Sequence, residues 1–131
     1  MNSFPYDVSY TLPAPTCEIF LSSTRSKEVV GPLHAILDTG ADGTLIPQTY
    51  LDALGARPTI ETGLRSPWGE RRVVFLYLVN LRINDINLPG IYVVGDERSS
   101  EIVIGRNVLN QLRISLDGPE KILGLSLDAT T

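Results

Sequence analysis

Apolar and polar residues alternate with a period of two along most of the chain, and this pattern predicts β-strands. The predicted strands are short and rich in valine, isoleucine and other residues that favour strands. They cover residues 6–12, 17–22, 33–38, 59–63, 71–83, 86–88, 91–94 and 101–104, followed by a hairpin of 113–116 and 121–127. Turn signals lie at Gly31-Pro32, Asn84-Asp85 and Pro89-Gly90.

Two segments break the strand pattern and predict short helices. In residues 47–54 a leading proline suits the first turn, Leu51 and Leu54 share one face, and Gly55 can end the helix. Residues 107–111 are predicted to form a short C-terminal helix. Prolines at 13 and 15 interrupt the first strand pattern, which makes residues 1–14 a candidate N-terminal arm. Since no linker divides the chain, we expect residues 1–131 to form a single all-β domain.

Composition narrows the class of protein. Apolar residues make up 43% and charged residues 20%, which is typical of a folded domain rather than a disordered chain. The formal charge is −4 without a basic cluster, so no nucleic-acid partner is expected. The apolar run 73–79 is too short to cross a bilayer, and residues 1–7 do not resemble a secretory signal. We therefore expect a cytoplasmic location and no membrane partner.

The chain has one cysteine and one histidine, which leaves few ways to build a site from these residues. The single cysteine, Cys17, rules out an intrachain disulfide and is typical of a small buried residue. The single histidine, His34, would have to serve any Ser/His or Cys/His pair, but its place at the start of an apolar strand favours a partly exposed structural residue. No spacing is typical of metal ligands, and we expect no metal or cofactor.

Residues 35–42 place an acid directly after an apolar run. Asp38 ends the run and is followed by Thr39 and Gly40. A carboxylate beside apolar residues is costly unless something satisfies or uses it, and glycine allows a tight turn there. These residues suit a catalytic carboxylate displayed on a rigid loop, but they equally suit an ordinary strand and turn. On this segment alone, both readings stay open.

A second segment has the same design and decides between them. In residues 101–112 an apolar strand ends at Gly105, and polar residues then open a helix. Together the two segments resemble the retropepsins, the single-domain aspartic proteases that include the retroviral enzymes. Residues 38–42 resemble the active-site loop of that family and residues 104–109 its second signature. The resemblance covers about residues 17–116 and implies a closed, barrel-like, homodimeric acid protease fold.

The resemblance also implies roles for particular residues. Asp38, Thr39 and Gly40 would be catalytic, with Thr39 bonding across the dimer axis. Asp42 would form a structural ion pair with Arg106, and we expect that pair to be buried and therefore costly to break. The segment 64–72 would be a mobile flap, although Pro67 and its charged residues depart from the glycine-rich viral flaps. Residues expected to contact a peptide are Gly40, Ala41, Asp42, Trp68, Gly69, Val103 and Ile104.

The number of acids per chain predicts the assembly. Aspartic proteolysis needs two carboxyl groups sharing one proton, one acting as base on water and the other as acid. The chain has one Asp-Thr-Gly, and its other aspartates do not follow an apolar strand in this way. The second carboxyl group should therefore come from a second copy related by a two-fold axis. Since Ala41 stands where pepsin-like enzymes commonly carry serine, we expect mildly acidic activity, around pH ~5–6.

The leading hypothesis from the sequence is thus an aspartic endopeptidase that hydrolyses extended peptides as a homodimer. One alternative is a retropepsin-fold module for dimerisation or peptide binding without turnover. Another is an unrelated small β-barrel binding module in which both motifs are coincidental. The intact Asp38-Thr39-Gly40 argues against a pure scaffold, which gains nothing from a costly pair of apposed acids.

Overall fold

The computed structural model describes residues 1–65 and 71–127, with side chains at 1–59 and 73–127. The strands are β1 (Asn2–Pro5), β2 (Thr16–Ser23), β3 (Val29–Leu37), β4 (Thr44–Pro47), β5 (Pro58–Arg65), β6 (Arg71–Ile83), β7 (Ile86–Asp96), β8 (Ile102–Ile104), β9 (Arg113–Asp117) and β10 (Ile122–Ser126). The helices are α1 (Gln48–Ala53) and α2 (Arg106–Leu109). The all-β fold and both helices predicted from the sequence are confirmed.

Six strands close into a barrel. They follow the order β2-β3-β8-β4-β7-β6, and a further pairing of β2 with β6 closes the ring. The ring encloses the main apolar cluster, which includes Ile19, Leu21, Ile46, Val79 and Val93. Strand β5 pairs only with the first half of β6, from Pro58↔Tyr77 to Arg65↔Arg71, so these two strands extend from the barrel as a hairpin. The closed barrel predicted from the resemblance is confirmed.

The order of β3, β8 and β4 determines the position of the motifs. Strand β8 lies between β3 and β4, parallel to β3 at Ala35↔Ile102 and antiparallel to β4 at Leu45↔Val103. The connection from β3 to β4, residues 38–43, must therefore cross the carboxyl end of β8. We call this connection the Asp38 loop. The two sequence motifs meet there because one forms the loop and the other is the strand end beneath it.

A second sheet gathers both ends of the chain. Strand β10 lies between β1 and β9 and is antiparallel to both. Leu123 and Leu125 of β10 are fully buried, and Phe4 of β1 packs against the main core. The candidate N-terminal arm thus contributes a paired strand in its first residues.

The strand predicted over residues 6–12 does not form. Residues 7–14 instead make a loop closed by a bridge between Asp7 and Ala14. The apolar residues that suggested alternation, Val8 and Leu12, are 73% and 81% exposed. Their period of two does not reflect a buried sheet face.

Two predicted turns lie inside strands. Gly31-Pro32 falls within β3, where the pairing with β2 shifts register between Ile19 and Leu21. Pro89-Gly90 falls within β7, where the pairing with β6 shifts between Val79 and Leu81. Such irregularities accommodate proline, which lacks the donor that a regular ladder needs. Within the described residues, no helix is long and apolar enough to span a membrane.

Candidate active site

Asp38 lies at the exposed end of β3. The strand is buried at Ala35 and half-buried at Leu37, and exposure begins at Asp38. The Asp38 amide donates to the Ile104 carbonyl of β8 at 3.0 Å, and the Asp38 carbonyl accepts the Ala41 amide at 3.1 Å. The backbone of the acid is thus fixed from both the neighbouring strand and its own turn.

The Asp38 carboxylate is oriented by its own loop. The Gly40 amide donates to Asp38 Oδ1 at 2.8 Å. A β-carbon added at Gly40 would lie 3.1 Å from this same oxygen, so the small residue permits the close approach. An N–H donor at this distance limits the rotation of the carboxylate. One carboxylate oxygen is therefore held in place while the side chain remains exposed.

Gly105 supports the loop from below. Its side-chain position faces the loop so closely that a β-carbon would overlap the Gly43 carbonyl and approach Ala41 O to 2.9 Å. The next residue, Arg106, donates its amide to Ala41 O at 2.9 Å. The start of α2 therefore packs directly against the backbone of the Asp38 loop, which explains the glycine of the second motif.

Arg106 holds the loop from the side. Its Nη1 donates to the Thr39 carbonyl at 2.8 Å, and its Nη2 forms an ion pair with Asp42 Oδ1. The pair expected from the sequence is therefore present, but it is not buried. The side chains of Arg106 and Asp42 are 44% and 85% exposed, because the pair lies on the outer side of the loop. An exposed ion pair contributes only ~0–1 kcal/mol, so its role is to position the loop rather than to stabilise the fold.

Thr44 and Asn107 brace the same region and were not identified from the sequence. The Thr44 hydroxyl donates to Asn107 Oδ1 at 2.8 Å and accepts the Gly105 amide at 3.1 Å. Asn107 Nδ2 in turn donates to the Tyr92 carbonyl of β7 at 2.9 Å. Thr44 is fully buried at the start of β4, and a buried hydroxyl needs partners. The sequence carries no local signal for this role, because Thr44 follows Asp42 and Gly43 as an ordinary turn residue would.

The expected peptide-contacting residues are distributed unevenly. Gly40 and Asp42 are exposed, while Ala41 and Val103 are partly buried. Ile104 is 1% exposed and lies in the core cluster, so its side chain is not available to contact a peptide. Its carbonyl serves the site instead, through Asp38. Trp68 and Gly69 lie outside the described residues.

The single histidine and cysteine do not form a nucleophilic pair. Both ring nitrogens of His34 lie against carboxylates, Nε2 at 2.7 Å from Asp7 and Nδ1 at 2.9 Å from Glu18. Cys17 is 2% exposed, and burial raises its pKa to about 12, which removes the reactive thiolate at neutral pH. In the described part of the chain, no group of His, Cys, Asp and Glu is arranged to hold a metal ion.

The comparisons with known proteins agree with this geometry. The family described as "gag-polyprotein putative aspartyl protease" matches residues 30–111, which is more than half of the chain and includes the Asp38 loop, β8 and α2. The chain belongs to this family. No curated protein matches the chain by sequence. The assignment to the aspartyl protease family therefore rests on the match to residues 30–111. The fold is tested separately, by comparison with solved structures.

Solved structures of retropepsin-like proteins share the fold. A retropepsin-like aspartic protease from Rickettsia conorii aligns with a TM-score of 0.63 at 12% identity, covering 93% of this chain and 86% of that one. EIAV protease in complex with the inhibitor HBY-793 gives 0.56 at 21% identity, covering 79% and 92%. The retroviral protease-like domain of Ddi1 from Leishmania major gives 0.51 at 15% identity, covering 87% and 89%. At these identities the likeness establishes the retropepsin fold.

Proposed function

We propose that this family member is an aspartic endopeptidase that works as a homodimer, with one Asp38 from each chain activating a water molecule. The observation that carries the proposal is the Asp38 carboxylate itself, exposed at a strand end and oriented by the Gly40 amide at 2.8 Å. A general acid or base needs such fixed placement to act on a bound substrate.

The need for a second chain follows from the surroundings of Asp38. The other carboxylate of its loop, Asp42, is paired with Arg106 on the outer side of the loop and is therefore not available as the second acid. A dyad requires one carboxyl group that keeps its proton beside one that is ionised. Two Asp38 loops facing each other across a two-fold axis supply that pair. Thr39 is exposed next to each acid, and we propose that it bonds across the same axis.

An extended peptide would lie across the dimer cleft. Gly40 is exposed, and its carbonyl is proposed to pair with the peptide backbone, since its amide is bonded to Asp38. The hairpin of β5 and β6 projects from the barrel and is proposed to cover the peptide, as a flap does. Main-chain pairing of this kind gives affinity, while pockets for alternate side chains give specificity.

Loss of the carboxylate tests the chemistry. Asp38→Asn should lower hydrolysis of a mixed peptide library to below about one thousandth of wild type, given the ~10²–10⁴-fold contributed by each acid or base group. The matched control is Asp52→Asn, which changes an exposed acid on α1 and should leave the rate unchanged. Binding of a pepstatin-type inhibitor without any turnover by wild type would favour the non-catalytic peptide-binding module.

Mixing the two proteins tests the dimer. When wild type and Asp38→Asn are exchanged in equal amounts, only about one quarter of randomly formed dimers carry two Asp38 residues. Activity per wild-type chain should therefore fall to about half of its unmixed value, since each wild-type chain finds a wild-type partner half the time. Mixing with Asp52→Asn should leave it unchanged. If the activity per wild-type chain stays the same in the mixture with Asp38→Asn, a single active chain is sufficient for hydrolysis.

A further inference from the structure

The segment between β1 and β2, residues 6–15, forms a strap over the outside of the barrel. Its ends are tied by backbone bonds, with the Tyr6 amide donating to Lys121 O at 2.9 Å and the Leu37 amide donating to Pro15 O at 3.1 Å. Between them, Asp7 and Ala14 exchange two bonds of 2.9 and 3.1 Å. Because Leu37 directly precedes Asp38, the strap and the Asp38 loop are joined through one hydrogen bond.

The strap lies on a row of ionisable residues. Glu18 of β2 pairs in register with His34 of β3. Ala35 is in register with Ile102 of β8, which places Glu101 beside His34 on the same exposed face. Glu18 of β2, His34 of β3 and Glu101, the residue before β8, thus form a row of side chains.

Two strap residues contact this row. Asp7 Oδ2 lies 2.7 Å from His34 Nε2, and the Tyr10 hydroxyl donates to Glu101 Oε1 at 2.6 Å. On the other side of the ring, Glu18 Oε1 lies 2.9 Å from His34 Nδ1. The His34 ring therefore lies between a carboxylate of the strap and a carboxylate of the barrel, within hydrogen-bonding distance of both.

These two hydrogen bonds depend on the second proton of the imidazole ring. Both carboxylates accept hydrogen bonds only, so both ring nitrogens must donate, and only the imidazolium ion has two N–H groups. The Glu18 carboxylate, followed by that of Asp7, raises the pKa of His34 above its ordinary value. The Ser9 hydroxyl and amide lower the pKa of Asp7 and keep it ionised. Of the other titratable groups on these elements, Tyr10 and Glu101 bond to each other, Cys17 is buried, and Tyr6 lies at the start of the strap.

We propose that His34, Asp7 and Glu18 form a proton-operated clamp that holds the strap on the barrel and thereby positions the strand leading into Asp38. The clamp is closed while the imidazole ring carries its second proton and opens when the ring becomes neutral. His34 is thus a positioning residue, acting through Pro15 and Leu37. The effect on catalysis rests on the proposed proteolytic function, but the clamp itself does not.

The direction of the pH dependence follows from linkage. Because the pKa of His34 is raised in the folded protein, its stabilising contribution is fully present below the ordinary histidine value. The contribution is lost as the pH rises through the raised value. The clamp is therefore closed below the raised pKa of His34 while both carboxylates are ionised, and it opens towards alkaline pH.

Nuclear magnetic resonance tests the clamp directly, because His34 is the only histidine of the chain and its ring signals are unambiguous. The ring should titrate above the value of the unfolded protein. Asp7→Asn and Glu18→Gln should each lower that midpoint. The control Glu28→Gln, an exposed acid between β2 and β3, should leave it unchanged. A wild-type midpoint equal to that of the unfolded protein would overturn the proposal.

Hydrogen exchange tests the link to Leu37. Relative to the amide of Val79, a fully buried residue of β6, the Leu37 amide should exchange about tenfold faster once the pH passes the His34 midpoint, as expected for loss of two modest ion pairs. In Glu18→Gln the faster exchange should begin at a lower pH, in line with its lowered His34 midpoint. His34→Arg, which keeps its charge, should remain protected throughout. A Leu37 exchange ratio that does not change through the midpoint would overturn the coupling.

Two measurements separate the clamp from the proposed protease. In Asp38→Asn, which should be inactive, the His34 titration and Leu37 protection should equal those of wild type. In the active protein, Glu18→Gln should lower kcat with little change in KM, and His34→Arg should extend the alkaline limb of the rate profile. If the wild-type protein cleaves no peptide, the proposed proteolytic function is wrong and the proposed clamp is unaffected. Glu18→Gln with an unchanged kcat and pH profile would overturn the positioning role.

Discussion

Thr44 and Asn107 join β4 to α2 through a hydrogen bond of 2.8 Å from the Thr44 hydroxyl to Asn107 Oδ1. The same hydroxyl accepts the Gly105 amide, and Asn107 continues to the Tyr92 carbonyl of β7. A single buried hydroxyl thereby ties β4 and the end of β8 to α2, next to the Asp38 loop. The rigidity of the candidate site thus depends on a polar brace as well as on the apolar barrel.

Thr44→Val tests this brace, because valine keeps the shape of threonine and removes the hydroxyl. The Gly105 amide would lose its partner in a buried place, which should lower the free energy of unfolding by ~1–3 kcal/mol. The control is Thr49→Val, an exposed position on α1. Urea unfolding measures both. Equal stability of the two variants would show that the brace contributes nothing.

Gly105→Ala tests the contact between the second motif and the loop. The added β-carbon would overlap the Gly43 carbonyl, which is backbone and cannot rotate away. We expect destabilisation by ~1–3 kcal/mol, typical of overpacking, and loss of peptide hydrolysis as the loop shifts. Gly118→Ala is the matched control, since a β-carbon there would meet nothing within 4 Å. An active Gly105→Ala protein would contradict the close packing.

The Asp38 loop could be predicted from the sequence because its signal is local. An apolar strand, an acid and a glycine follow one another in residues 35–42, and a second apolar strand in residues 101–112 ends at Gly105 and polar residues. The partners of Thr44 could not be predicted, because they come from distant residues that the barrel brings together. The ion pair of Arg106 and Asp42 was placed correctly, but its exposure depends on the side of the loop on which it lies.

The strands that differ from prediction have tertiary causes. Strand β7 continues through Gly90, whose amide finds the Asn80 side chain at 3.0 Å instead of a ladder partner. Residues 7–14 close on themselves because the Asp7 backbone pairs with Ala14, while the Asp7 carboxylate contacts the His34 side chain of β3. Period-two alternation does not reveal such long-range partners. It therefore predicted a strand over residues 6–12 that does not form, and it divided β7 into two strands.

Arg106→Ala should separate positioning from stability. Since the ion pair with Asp42 is exposed, the free energy of unfolding should change by at most ~1 kcal/mol. Activity should fall by about 100-fold, because Thr39 and the acid beside it lose the guanidinium that holds them, and small misplacements of reacting groups have effects of that size. The control is Arg57→Ala, an exposed cation between α1 and β5. A loss of several kcal/mol in Arg106→Ala would instead indicate burial of the pair in the assembled protein.

Cys17 provides a chemical probe of how tightly the barrel is closed. It is 2% exposed, and burial raises its pKa to about 12, so at pH ~8 the folded protein holds little of the thiolate that reacts with iodoacetamide. Alkylation should therefore be slow in the folded protein and fast in urea. Where opening and closing outpace the reaction, the folded-state rate tracks the population of open molecules. Thr44→Val should raise that rate in proportion to its loss of stability, and Thr49→Val should not. Equal alkylation of the folded and urea-unfolded protein would show that Cys17 is accessible in the native state.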